Sequence, residues 1–396
     1  MKRLVPLVLA AALGVAACSS SSKTSSHSTA PGTGGSPTSA SAGDTSASAG
    51  DTSASAGDTS ASAGNPATLV TLDEAGSTLI YPFLQELVTP LHQAYPNITL
   101  SPGPGGSGKG ISDAIAGTVQ MGGSDAYLSS ADFSAHPGLM NIPVVISAQA
   151  VNYNVPGVPA GTHLKLSGDV MAKMYEGKIA KWNDPAIAAL NPGVTLPSTP
   201  VVPVRRSDAS GDTFIFTSLL TDTNADWKNG PDFGTSVTWP AVSGELSASG
   251  NPGMVQTCHA TPGCIAYIGV SVEASALSAG LGEATLQNRA GNFVLPTQPN
   301  IEAAVTAGSG NVPTTLASPL IYEPGARSYP IVNFEYLIVQ SKQPSAATAQ
   351  AIRTFLTWAM SSTGGSTAAY LAREDFVALP SAVVPRVEAA IARISA

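Results

Sequence analysis

The chain has 396 residues, 43% hydrophobic and only 11% charged, with 26 acidic against 18 basic side chains and a formal net charge of −8 at pH 7. A chain this long and this apolar can bury a sizeable core, and its acidic balance argues against a nucleic-acid partner, which needs a basic footprint. None of the three cysteines and five histidines is grouped at metal-ligand spacing, so neither a zinc site nor a cofactor is expected.

MKRLVPLVLAAALGVAAC opens on two cations, runs apolar from Leu4 to Val15 and closes on small residues before Cys18. That is the pattern of a bacterial export signal over residues 1–17, and its apolar run is too short to cross a bilayer comfortably. Val15-Ala16-Ala17-Cys18 resembles the lipobox of bacterial lipoproteins, which implies that Cys18 is acylated and holds the mature chain on the outer face of the cell membrane. From Ser19 to Asn65 the chain is mostly Ser, Ala, Gly and Thr, and ASAGDTS recurs every seven residues through Asp44, Asp51 and Asp58. No position of that repeat carries a large apolar side chain, so no coiled coil can offset its ordering entropy. Residues 18–65 therefore read as a lipidated cysteine and a tether, spanning about 35–40 Å as a flexible coil. Its Ser and Thr are open to O-glycosylation.

After the tether, 18 − 3 = 15 cations face 26 − 3 = 23 acids, again a net charge of −8. Any anion site there must work through local donors, not a long-range field. ATLVTLDEAGSTL reads as a strand running into a turn, Ile80 to Tyr95 as a helix, NITLSPG as a strand, GISDAIAG as a helix and VQMGGSDAYL as a strand breaking into a loop. The order βαβαβ implies an α/β fold whose mostly parallel sheet gathers its loops at the carboxyl ends of the strands. Two long extended runs, IPVVISAQAVNYNVPG and YPIVNFEYLIVQSK, read as strands crossing between two lobes. The part between them has its own helices, in SGDVMAKMYEGKIAKWNDPAIAAL, and its own strand-loop-helix unit, VVPVRRSDASGDTFIFTSLL. Two final helices, around Ala347 to Met360 and Val383 to Ile394, return to the first lobe. That gives a first lobe of residues 66–146 and 333–396 and a second of 147–332. With Cys18 acylated, Cys258 and Cys264 remain, and the Pro-Gly turn in CHATPGC allows a disulfide between them in an oxidising compartment.

The stretch GPGGSGKG, Gly103 to Gly110, looks like a nucleotide-binding loop, but such a loop needs Ser or Thr after its Lys to ligate magnesium, and Gly110 stands there. Four loops, EAGSTL, GGSGKG, GGSDAYL and RRSDASGDTF, each follow an expected strand. Three combine small residues with Ser or Thr at a helix start, where free N–H groups and the helix dipole favour a tetrahedral oxyanion. Arg205 and Arg206 add a guanidinium suited to two phosphate oxygens. Asp125 would repel an anion unless that anion carries a proton. Phosphate keeps a P–OH near neutral pH and can donate it; sulfate cannot, and would suffer a buried mismatch of about 3–5 kcal/mol, roughly a hundredfold or more in affinity.

The stretches AGSTLIYP, GGSGKGI, GGSDAYLS, VNYNVPG, YEGKIAKWNDPAIAALNPG, RRSDASGDTFIFTSLL and YPIVNFEYLIV resemble the phosphate-binding (PstS-type) subunit of the phosphate-specific ABC transporter, and the lipobox with its tether resembles the actinobacterial, mycobacterial-like lipoprotein form. The resemblance implies a two-lobed periplasmic-binding-protein fold of type II, phosphate buried between the lobes, an ABC permease and ATPase as partners, and a monomer without catalytic residues. Position by position it implies phosphate contacts from Thr78, Leu79, Ser107, Asp125, Arg206, Ser210, Gly211 and Asp212, with Ser107 rather than the GKG as the ligand group of its loop. Asp212 departs from the Thr common at that place. Either it accepts another phosphate proton or it pairs with Arg206 and holds the guanidinium flat.

Two other functions compete. A secreted phosphatase would need a nucleophile elbow, absent around Ser107 and Ser210, or a general base, for which His27, His92, His136, His163 and His259 are poorly placed. A surface adhesin or structural lipoprotein would suit the tether.

Overall fold

In the computed structural model, which describes residues 64–396, strand β1 (Val70–Gly76) leads into helix α1 (Tyr81–Ala94). Pro82 sits in the first turn of α1, where its missing N–H costs nothing. Phe83, Leu84, Leu87 and Leu91 fall on one helical face and are fully buried, each contributing about 1.5–3 kcal/mol of burial. Strand β2 (Ile98–Pro104), helix α2 (Ser107–Ala116) and strand β3 (Met121–Ser124) complete the first βαβαβ unit. β2 and β3 both pair parallel with β1. The export signal, Cys18 and nearly all of the tether lie outside the described residues.

Strand β4 (Leu139–Asn154) is buried at every position but the last. After it come helix α3 (Gly168–Tyr175), strand β5 (Val202–Arg206), helix α4 (Gly211–Thr223), strand β6 (Leu246–Ala248), helix α5 (Gly250–His259) and strand β7 (Cys264–Gly269). Strand β8 (Ile331–Gln340) precedes helices α6 (Ala346–Met360) and α7 (Val384–Ile391). The strand order is β2-β1-β3-β8-β4-β7-β5-β6. β8 runs antiparallel to β3 and β4, and β4 antiparallel to β7, while β5, β6 and β7 are mutually parallel where they pair.

The two halves of β4 serve different lobes. Leu139 to Ala148 pair with β8, and Gln149 to Asn154 pair with β7, so one strand carries the chain from the first lobe into the second. Their near-continuous apolar composition follows from cover on both faces, as for any strand at the centre of a layered α/β body. Residues 312–321 also touch the first lobe: Thr315 O accepts from Asn141 Nδ2 at 3.2 Å and Leu320 pairs with Val332. In the second lobe Phe216 stacks on Tyr267 with ring centroids 4.5 Å apart, and Cys258 and Cys264 form the expected disulfide. No helix among the described residues is long and apolar enough to cross a membrane.

The topology places the four loops together. β1, β2 and β3 end at Gly76, Pro104 and Ser124, and β5 and β6 end at Arg206 and Ala248, all at strand carboxyl ends, where open α/β sheets form their crevices.

Candidate functional site

On the first lobe the loops are stitched by backbone. Gly76 O accepts the N–H groups of Gly105 at 2.8 Å and Gly106 at 2.7 Å, and at Gly76 (φ 152°) a side chain would collide with the Gly123 carbonyl. This tight turn delivers Ser77, whose hydroxyl donates to Asp125 Oδ1 and accepts the N–H of Leu79 at 3.0 Å. Ser107 opens α2. Its Oγ lies 3.3 Å from Asp125 Oδ2 and accepts the Asp125 N–H at 3.1 Å. Asp125 is 1% exposed; burial raises its pKa above the ordinary value, against hydrogen bonds from Ser77 and Ser107 and the charge of Arg206.

The second lobe supplies the cation. Arg206 ends β5, held there by its N–H to Tyr267 Oη at 2.9 Å. Its guanidinium is buried and binds two carboxylates: Nε and Nη2 meet Asp208, with Nε to Oδ1 at 2.8 Å, and Nη1 meets Asp212 Oδ2. Asp212 also accepts from Gln149 Nε2 at 3.1 Å and Asn251 Nδ2 at 2.9 Å. Burial pushes Asp212 up to about 7, against the charge of Arg206 and with that of Asp125. Ser210 stands at the N-cap position of α4 without a capping bond, and its Oγ is buried with no partner among the described residues. Gly211 follows at the helix start. A Cβ there would strike both Asp125 and Ser107, so the first turn of α4 abuts the first-lobe carboxylate directly.

Further bonds tie the lobes at this point. Gly108 N–H donates to Ala209 O at 3.0 Å, Asn251 N–H to Thr78 Oγ1 at 3.1 Å, and Ser271 Oγ to Leu79 O at 2.7 Å. Gly106 (φ 88°) has Asp208 and Ala209 so close that any side chain would part the lobes. All eight residues expected at the site are therefore gathered in one place. Thr78 spends its oxygen lone pairs on Asn251, which leaves its O–H to donate, whereas the Leu79 N–H is taken by Ser77. Lys109 points away, pairing with Asp113 on the surface, and Arg205 lies outside, against Glu245 at 3.3 Å and the Trp239 ring. At the rim a cleft of about 450 Å³ is lined by Thr78, Tyr81, Pro104, Asp208 and Gly250.

Sequence reasoning missed Ser77, Asp208, Gln149 and Asn251. Ser77 and Asp208 stand inside the quoted loops, and their signal was adjacency to Thr78 and Arg206. Gln149 sits in an apolar strand and Asn251 follows a positive-φ glycine, Gly250 (φ 66°). Neither belongs to a motif, and only the fold brings them to Asp212. Chemically the site offers hydroxyl and backbone donors, one guanidinium and one forward carboxylate. His92 Nδ1 and His163 Nδ1 are engaged with backbone carbonyl oxygens, and no metal-binding cluster occurs among the described residues.

Glu74 lies beneath these loops, 3% exposed. It accepts the Gly123 N–H at 3.0 Å while Oε2 has no partner among the described residues. Burial pushes its pKa up to about 8, against hydrogen bonds from Gly103 and Gly123. A raised folded-state pKa means that its contribution to stability is complete below the ordinary value of 4.5 and is lost as pH rises through about 8. Glu74→Gln should therefore gain on the wild type between those pH values, by on the order of a few kcal/mol in urea unfolding. A difference independent of pH would show that Glu74 is not protonated in the fold.

The chain matches the family model described as PBP superfamily domain over residues 35–363. The phosphate-binding protein PstS of Methanocaldococcus jannaschii is 33% identical over 338 residues, covering 80% of this chain and 84% of that protein. Phosphate-binding protein PstS3 of Mycobacterium bovis is 33% identical over 337 residues, covering 82% and 87%. Among solved structures, a high-affinity periplasmic phosphate-binding protein (PfluDING) bound with phosphate shares the fold at a TM-score of 0.64 and 22% identity, over 81% of this chain and 93% of that one. With most of its length matched at these identities, the chain belongs to the PBP superfamily and, within it, to the PstS family of phosphate-binding proteins.

Proposed function

We propose that this protein binds inorganic phosphate between its two lobes and delivers it to the permease and ATPase of an ABC importer. The observation that carries the reading is a buried carboxylate, Asp125, set against the start of α4 and within the field of Arg206. A protonated tetrahedral oxyanion satisfies that arrangement, donating P–OH to Asp125 and accepting from Ser107, Ser210, Gly211, Thr78 and Arg206. Asp212 serves as the clamp that keeps the guanidinium of Arg206 flat, which its hydrogen bonds from Gln149 and Asn251 support. Because the donors come from both lobes, ligand binding and closure are one equilibrium, and the closed form is what a permease would read. Acylation at Cys18 would hold the domain as a monomer on the extracytoplasmic face, at the end of its tether.

Titration calorimetry of the phosphate-stripped domain tests the reading. Sub-micromolar phosphate binding with no detectable turnover of a chromogenic phosphate ester is the expected result. Absence of any heat with phosphate would leave a surface adhesin as the better account, and ester hydrolysis abolished by Ser210→Ala would make the protein a phosphatase.

A further inference from the structure

Beside Asp125 in the sheet lies a buried acid that the binding scheme does not use. Glu335 is on β8, fully buried, and the antiparallel register pairs Tyr336 with Ser124, which sets Glu335 opposite Asp125 one step beyond. The β8–β4 register shifts between Glu335 and Tyr336, an irregularity of the kind that re-aims a side chain next to a site. Ser147 from β4 donates its hydroxyl to Glu335 Oε1, Asn333 Nδ2 donates to the Asp125 carbonyl, and Glu335 Oε2 has no hydrogen-bond partner among the described residues. The register thus sets an unpartnered, buried carboxyl oxygen of Glu335 beside Asp125, close enough for the charge of each to act on the other.

Two buried carboxyl groups set side by side cannot both ionise without a nearby cation. The groups facing Glu335 are Asp125 from the β3 loop, Asp212 from α4, Ser147 from β4 and its own neighbours Asn333 and Tyr336. None is a cation. The single guanidinium of the cluster, Arg206, is already shared between Asp208 and Asp212. Of the pair, Asp125 has Ser77, Ser107 and the field of Arg206 to stabilise its charge, whereas Glu335 has only Ser147.

We propose that Glu335 is a positioning residue that keeps a proton on Oε2 and donates it to Asp125, so that the pair shares one proton and Asp125 retains the charge with which it accepts phosphate P–OH. The inference rests on the phosphate reading above and assigns the proton inventory that this reading requires. No proton is lost or gained within the pair at neutral pH: the acid O–H stays on Glu335 and the ligand's own P–OH satisfies the remaining acceptor of Asp125. Burial and the Asp125 charge raise the Glu335 pKa well above the ordinary range, in keeping with the geometry. When Glu335 does ionise, at alkaline pH, a second negative charge adjoins Asp125 and the phosphate anion is expelled.

The test uses the full chain, freed of any bound phosphate. Glu335→Ala removes the donor and should weaken phosphate binding by about tenfold or more, whereas Glu335→Gln, whose amide donates in place of the acid, should restore it to within about threefold. Between about pH 6 and about pH 10 the wild type should lose affinity on the alkaline side and Glu335→Gln should lose much less. The infrared difference spectrum of wild type minus Glu335→Gln should contain a protonated-carboxyl band at neutral pH, a readout that needs neither ligand nor the alanine variant. Absence of that band, a gain of about tenfold in affinity for Glu335→Gln at neutral pH, or superimposable pH profiles would each overturn the proposal. A wild type that binds no phosphate but shows the band would sink the transport reading while leaving the shared proton standing.

Discussion

Arg206→Gln is expected to abolish phosphate binding, with a loss of about a thousandfold or more, and to destabilise the ligand-free domain by about 3–5 kcal/mol. Both effects have one origin. The guanidinium is the sole cation bonded to Asp208 and Asp212 among the described residues, and Asp212 is 1% exposed. Removing the cation while leaving the carboxylates buried exposes them to the full cost of desolvation without the Coulombic compensation. It also leaves an incoming phosphate facing Asp125, Asp208 and Asp212 together. Arg206→Lys should recover little, because a point ammonium cannot reach both carboxylates in the planar fork that the structure uses. Urea unfolding and calorimetry on the same preparations read the two effects. Retention of phosphate affinity within tenfold would mean that the anion is held elsewhere.

Asp125→Asn should reverse the choice between phosphate and sulfate. In the wild type, Asp125 is a buried acceptor aligned by Ser77 and Ser107; it rewards an anion that brings a proton and repels one that does not. The amide can present N–H instead, so sulfate should gain about a hundredfold or more while phosphate loses about tenfold, a change in preference of about 4 kcal/mol. The measurement is a competition calorimetry series with both anions. A uniform loss for phosphate and sulfate would show that Asp125 serves the packing of the loops and not the recognition of a proton.

Much of this was legible before any coordinates, for identifiable reasons. The βαβαβ order at the start of the body was readable because each element has its own local signal: Pro82 at a helix start, the buried face of Phe83, Leu84, Leu87 and Leu91, the left-handed Gly117 (φ 68°) after α2. Strand carboxyl ends then located the crevice by rule, and Ser107, Asp125, Arg206 and Gly211 lay on the loops there. What escaped were groups whose importance comes from a neighbour far away in the chain. Asn251 reaches Thr78 across 173 residues and Gln149 reaches Asp212 across 63.

From residues alone came the expectations of an export signal, of a tether poor in apolar side chains, and of an anion site built from helix starts with one forward carboxylate. These are properties of composition and of short segments, where propensity, capping and charge act over a few residues. Tertiary structure decided which arginine of the Arg205–Arg206 pair enters the site, that Asp212 lies on that guanidinium, and that β4 pairs with β8 through its first half and with β7 through its second. It also set Glu335 beside Asp125. The reason is physical: a buried charge is tolerated or ruinous according to the few groups within hydrogen-bonding reach, and in a mixed α/β body those groups arrive from strands and helices distant in sequence.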